Sequence, residues 1–276
     1  MFSPFGYPWH QTRLVGRVFH RRRLDPLATH FRGRYWVLKD LDALALAIAD
    51  LALGQWAHVE AILRTSGDWI EADANYAIDA AVHDLTVPAG KDPWHRDGWM
   101  FQMISWIVAV EAGAGPARPP QMDLASKGFD GLHLRTSRDG SKIKRLIIFE
   151  DKATDSPRDT VRDDVWPSFA KLEKGERNHA LAAELAYLVE RVEGADPREA
   201  VNQVMRSPEG RAYRVSITVG RHHGNAPEFN GLFNGYEGVV SGDRRRRYAN
   251  VFEIEPLRAW MADLATRAIA LLEARR

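Results

Sequence analysis

No cysteine occurs in the 276 residues. Its absence excludes disulfides, thiolate zinc sites and cysteine nucleophiles, so any metal must be held by carboxylate, histidine or backbone oxygen. Such a donor set favours a hard ion such as magnesium. Long apolar runs are also missing: no stretch approaches the roughly 18 uninterrupted apolar residues of a membrane span. The opening Met1-Phe2-Ser3-Pro4 lacks the charged-then-apolar pattern of a signal peptide. A cytoplasmic chain with no membrane partner is therefore expected. There is no internal repeat, no Gly-rich phosphate loop and no Gly-x-Ser-x-Gly nucleophile turn.

Net charge is nearly absent too, with 38 Lys and Arg against 37 Asp and Glu. The balance hides a sorting along the chain. Residues 1–35 hold seven arginines against the single acid Asp25, whereas residues 36–95 hold ten acids against three bases. A chain sorted this way can offer a basic face to a polyanion while staying neutral overall. With 45% apolar residues it can bury a core.

The spacing of apolar residues divides the chain at about residue 95. Residues 1–95 read as an irregular or short-strand basic lead followed by an acidic, helical subdomain. Leu41, Leu44, Ile48 and Leu51 recur at three- and four-residue steps and predict a helix from Asp40 to about Leu63. A second helix is expected over Trp69 to Asp84. Residues 96–276 read as a second domain. It opens with a buried helix from Trp99 to Ala112, followed by a β-hairpin whose arms are Gly128 to Leu134 and Ile143 to Phe149 around the Asp139-Gly140 turn. Helices at Thr160 to Lys174, Asn178 to Glu193 and Pro197 to Met205 follow. Strands at Tyr213 to Val219 and Tyr248 to Ile254 and a terminal amphipathic helix complete a mixed α/β domain with a central sheet.

The hairpin carries the most informative residues. Asp130 stands at its first arm, in Gly128-Phe129-Asp130-Gly131, and Glu150-Asp151-Lys152 ends the second. Side chains alternate along a strand, so Glu150 and Lys152 share a face while Asp151 points to the other. Antiparallel pairing brings Asp130 close to that pair. Two carboxylates and a lysine at one sheet edge suit a divalent ion, with the lysine orienting or polarising a water. Asp151, turned toward the core, needs a partner such as an arginine.

An acid on one strand and Glu-x-Lys on the next resemble the core motif of the PD-(D/E)XK nuclease superfamily, over roughly residues 96 to 175. The resemblance implies a restriction-endonuclease-like fold and metal-dependent hydrolysis of DNA, double-stranded in the first instance. It makes Asp130 and Glu150 ligands of magnesium or manganese, adds the residue 151 carbonyl as a third, and gives Lys152 the nucleophilic water. Phe129 stands where the superfamily's name has proline. Gly98-Trp99-Met100-Phe101-Gln102 is similar to the first-helix motif of Mrr-type and anti-phage effector nucleases, which places Gln102 at the site. Glu111, at the far end of the same helix, is the alternative acid. Gly128 to Leu134 is similar to the Hachiman nuclease subunit, which implies a role in anti-phage defence beside a separate sensor or helicase subunit. A homo-oligomer is compatible with this reading.

Other residues admit two readings. Arg158 and Arg162, just after the second arm, face phosphate or merely solvate a helix start. Arg244 and Arg245, in the run Arg244 to Arg247, form a phosphate clamp or a solvated loop. Arg21 to Arg23 read the same way, and Lys142, Lys144 and Arg145 read as surface charge. His222 and His223 lack a second ligand at helical spacing, and Trp99, Trp106 and Trp166 read as packing. With Gln102 in place of an acid, a non-catalytic nucleic-acid-binding or partner-docking subunit is the rival to an enzyme.

Overall fold

A computed structural model describes residues 18–24, 30–65, 72–122, 128–137, 140, 142–220 and 226–276. Six strands build one mixed sheet: β1 (Phe19–Leu24), β2 (Arg32–Leu38), β3 (Gly131–Thr136), β4 (Ile143–Lys152), β5 (Arg211–Val219) and β6 (Arg247–Glu253). Their order is β1-β2-β6-β5-β4-β3. The four inner strands run parallel to one another, and β1 and β3 close the two edges antiparallel. Parallel strands are covered on both faces, and every residue of β5 is buried. Gly131 pairs with Phe149, and a Cβ on it would meet the Phe149 ring at 2.4 Å. Only glycine leaves room for that ring.

The first helices are α1 (Leu41–Ala52), α2 (Trp56–Thr65), α3 (Ile78–Leu85) and α4 (Trp94–Ala112). Asp40 caps α1 by accepting from the Ala43 N–H at 2.9 Å. The single helix expected over 40–63 is two, because Gly54 takes a left-handed φ of 77° and turns the chain between them. Trp69, the expected start of the next helix, lies outside the described residues, and the helix itself begins at Ile78.

Beyond β4 come α5 (Pro157–Thr160), one π turn at Val161–Val165, and α6 (Trp166–Glu173). Pro167 has no N–H for the carbonyl four residues back, and the wide turn stands just ahead of it. Then follow α7 (Asn178–Glu190), α8 (Pro197–Arg206), α9 (Ala226–Leu232), α10 (Tyr236–Val239) and α11 (Leu257–Glu273).

Two apolar cores flank the sheet. On one side α1, α3, α4 and α11 bury Leu44, Ile48, Phe101, Ile104, Met261 and Leu264 against Trp36 and Phe252. On the other, Phe169, Leu181, Leu185 and Val204 of α6, α7 and α8 pack on Leu146, Ile148, Val215 and Ile217. The first core crosses the division drawn at residue 95. β1 and β2 extend the sheet from β6, α1 packs on α11, and buried Asp50 of α1 holds Arg275 at 2.6 Å. The chain is thus α/β, a mixed six-stranded sheet between helices, with the β3–β4 hairpin at one edge.

Candidate active site

The hairpin ends where three elements meet: the start of β3, the end of β4 and the middle of α4. Asp130 precedes β3 by one residue. Its Oδ1 accepts from the Gln102 amide at 3.0 Å, and its Oδ2 from the Asp151 backbone N–H at 2.9 Å. Lys152 places Nζ 2.9 Å from Glu150 Oε2 and 3.6 Å from Asp130 Oδ2. Ser168 of α6 donates to the other Glu150 oxygen at 2.5 Å. The side chains of Asp130, Glu150 and Lys152 keep 21%, 17% and 29% of their surface, so a solute can reach them.

The electrostatics follow from this half-burial. Desolvation pushes the Asp130 carboxyl up to about 7 against the pull of Lys152, and the Glu150 and Asp151 charges add to the rise. Burial alone would draw the Lys152 ammonium down, but Asp130 and Glu150 overcome it and hold its pKa above the ordinary lysine value. Lys152 is thus a fixed cation, suited to orienting a water or an anionic oxygen and unsuited to taking a proton.

Asp151 turns to the opposite face, as alternation along the strand dictates. There Ser105 of α4 donates to its Oδ1 at 2.7 Å, and Arg214 Nη2 of β5 stands 3.8 Å from the same oxygen. Arg214 also donates to the Ser105 carbonyl and hydroxyl and lies over the Phe149 ring. Burial raises the Asp151 carboxyl. The Asp151 carboxylate is inside the core, so only the backbone carbonyl of that residue is left as a candidate metal ligand.

Glu111 is nine residues beyond Gln102 on α4, ~13 Å along the axis, where it accepts from the Val18 N–H. Of the two alternatives on that helix, only Gln102 reaches Asp130. Arg158 donates to the carbonyls of Leu232 and Asn234 and so pins a loop. Arg162 is exposed and paired with Asp159 and Asp163. Arg244 and Arg245 are exposed at the start of β6, and Arg145 donates to the Arg245 carbonyl at 2.6 Å. From Arg145 to Glu150 the strand runs ~16 Å, so these arginines are not gathered with the carboxylates. Arg246 and Arg247, by contrast, are buried and hold Glu173 and the Val240 carbonyl.

His222, His223 and the side chains of Arg21 to Arg23 lie outside the described residues. Trp99, Trp106 and Trp166 are buried. Sequence reasoning passed over Ser168, which faces the site, and Ser105, which holds the Asp151 carboxylate on the opposite face. Neither belongs to a motif, and only the three-dimensional placement of α4 and α6 aims them.

Among the described residues no group of three or more His, Asp or Glu side chains converges. The donors at the hairpin are two carboxylates and the Asp151 carbonyl, all offering oxygen, while Gln102 turns its amide N–H to Asp130; such a set fits magnesium or manganese. Compared with protein-family models, curated proteins and solved structures, the chain matches none.

Proposed function

We propose that this chain is a metal-dependent endonuclease that hydrolyses DNA phosphodiester bonds on a restriction-endonuclease-like scaffold of the PD-(D/E)XK kind. The observation that carries the reading is Lys152, whose ammonium stands between Asp130, just ahead of β3, and Glu150 of β4. Asp130, Glu150 and the Asp151 carbonyl would hold magnesium or manganese, with Gln102 holding Asp130 in place. The cation supplies Lewis acidity toward the scissile phosphate and a more acidic water.

The chain's own side chains do the rest. Lys152 orients the nucleophilic water and offsets negative charge on the phosphoryl oxygens. Gln102 and the Asp151 N–H fix both oxygens of Asp130, and Ser168 fixes Glu150. The attacking water gives its proton to solvent as its oxygen bonds phosphorus, the P–O ester bond breaks, and the phosphoester oxygen leaves with a proton drawn from solvent. Double-stranded DNA is the proposed substrate, anti-phage defence in the cytoplasm the proposed setting, and a separate sensor or helicase subunit the proposed partner. No helix among the described residues is long and apolar enough to cross a membrane.

A second reading rests on Gln102, which stands where an acid would complete a three-carboxylate set. It makes the chain a nucleic-acid-binding or partner-docking subunit. Incubating the full chain with supercoiled plasmid in magnesium, manganese or EDTA separates the two. The enzyme reading expects nicked or linear product with either metal and none in EDTA; DNA retained on the protein and left intact in all three supports the binding module.

A further inference from the structure

On the α4 face of the sheet, away from Glu150 and Lys152, lies a cavity of about 40 Å³. Five strands contribute to it. Arg34 comes from β2, Tyr248 and Asn250 from β6, Arg214 from β5, Ile147 from β4, and His133 and Arg135 from β3. Three arginines thus line one small space with no carboxylate among the described lining residues, Arg214 keeping its Ser105 and Asp151 partners behind it. Arg135 donates to the Tyr248 hydroxyl at 3.1 Å, which draws the two into one wall. By size the cavity holds roughly three water-sized groups, enough for a single oxyanion and too little for a nucleobase.

His133 decides which oxyanion. It is 5% exposed, and its Nε2 is buried with no hydrogen-bond partner among the described residues. The imidazole's other nitrogen bonds the Ala114 carbonyl, which can only accept. The proton is therefore on Nδ1, and Nε2 presents a lone pair. The Arg214 Nε is likewise buried without a partner. A fitting ligand brings acceptor oxygens for the guanidiniums and one O–H for His133.

We propose that the cavity bounded by Arg34, His133, Arg135, Arg214, Tyr248 and Asn250 binds inorganic phosphate as monohydrogen phosphate. Sulfate has the same shape and charge but no O–H at neutral pH. A phosphomonoester dianion lacks the O–H as well, and its nucleoside exceeds the cavity. The site stands independently of the nuclease reading, because it shares no ligand with the Asp130 edge.

The test is calorimetric titration of the full chain in EDTA and phosphate-free buffer at pH 7, with inorganic phosphate, sulfate and a 5′-mononucleotide. The expected result is saturable phosphate binding, at least about tenfold tighter than sulfate. Arg135→Gln, at a half-exposed position, weakens it about tenfold or more, His133→Gln narrows the preference over sulfate, and Asp130→Ala leaves it unchanged. Tighter binding of the mononucleotide overturns free phosphate as the ligand. Sulfate binding as well as phosphate overturns the role of His133. No saturable binding, or binding indifferent to Arg135→Gln, overturns the site and leaves a hydrated cavity.

Discussion

The backbone N–H of Asp151 donates to Asp130 Oδ2 at 2.9 Å, so the acid before one strand is held by the main chain of the next. An asparagine can still accept that bond, and an alanine cannot. Asp130→Asn is expected to melt close to the wild type, while Asp130→Ala loses about 1–2 kcal/mol from the unpaired N–H. Both should lose metal-dependent cleavage by at least about a hundredfold. Thermal unfolding beside a plasmid assay checks the split.

Ser168 orients Glu150 from the far side of the π turn, at 2.5 Å. Groups that fix a ligand typically change metal affinity by about 10–100-fold when removed. Ser168→Ala should therefore raise the manganese concentration needed for half-maximal cleavage by about tenfold, with the rate at saturating metal changed much less. A metal titration of the cleavage rate measures both.

How far this site can be read from sequence depends on the kind of contact. Asp130, Glu150 and Lys152 are legible because a hairpin has a fixed side-chain period and a short turn. Ser168 is not, since its aim depends on a π turn that no periodicity announces. β1 and most of β2 fall in what the sequence reads only as an irregular or short-strand lead, because partners so distant in sequence as Trp36 and Phe252 leave no local signal. On β5 the alternation of Tyr213, Val215 and Ile217 with Arg214, Ser216 and Thr218 marks a strand without announcing that both its faces are covered. The structure buries that row beneath α4, where Ser216 meets Ser105 and Thr218 accepts from the Thr154 N–H.

That buried row makes Asp151 and Arg214 interdependent. Removing one partner of a buried pair strands the other charge and costs roughly 3–5 kcal/mol, whereas replacing both with apolar residues is often neutral. Asp151→Leu should destabilise the fold by that order, and Asp151→Leu combined with Arg214→Met should recover most of it. Denaturant unfolding of the two single variants and the double variant gives the coupling.

His133 links stability to pH. Burial first, then Arg214, Arg135 and Arg64, lower its pKa from 6.5 to about 3, although the Ala114 carbonyl pulls the other way. The unfolded chain takes up a proton below pH 6.5 that the folded chain refuses until about pH 3. Its contribution is thus intact above 6.5 and is lost as pH falls through that window, by about 1.4 kcal/mol per pH unit. Between pH 6.5 and 5 the wild type should lose about 2 kcal/mol more than His133→Gln. Denaturant unfolding at the two pH values, without phosphate or sulfate, reads the difference.

The proposed phosphodiester hydrolysis turns on Lys152, set between Glu150 and Asp130. Its most direct test is the single-turnover rate of plasmid cleavage in manganese for the wild type, Glu150→Gln and Lys152→Met, each confirmed folded by circular dichroism. The wild type should show metal-dependent cleavage, and both variants a fall of about a hundredfold or more. Cleavage at the wild-type rate in both would contradict it and place the reaction elsewhere on the chain.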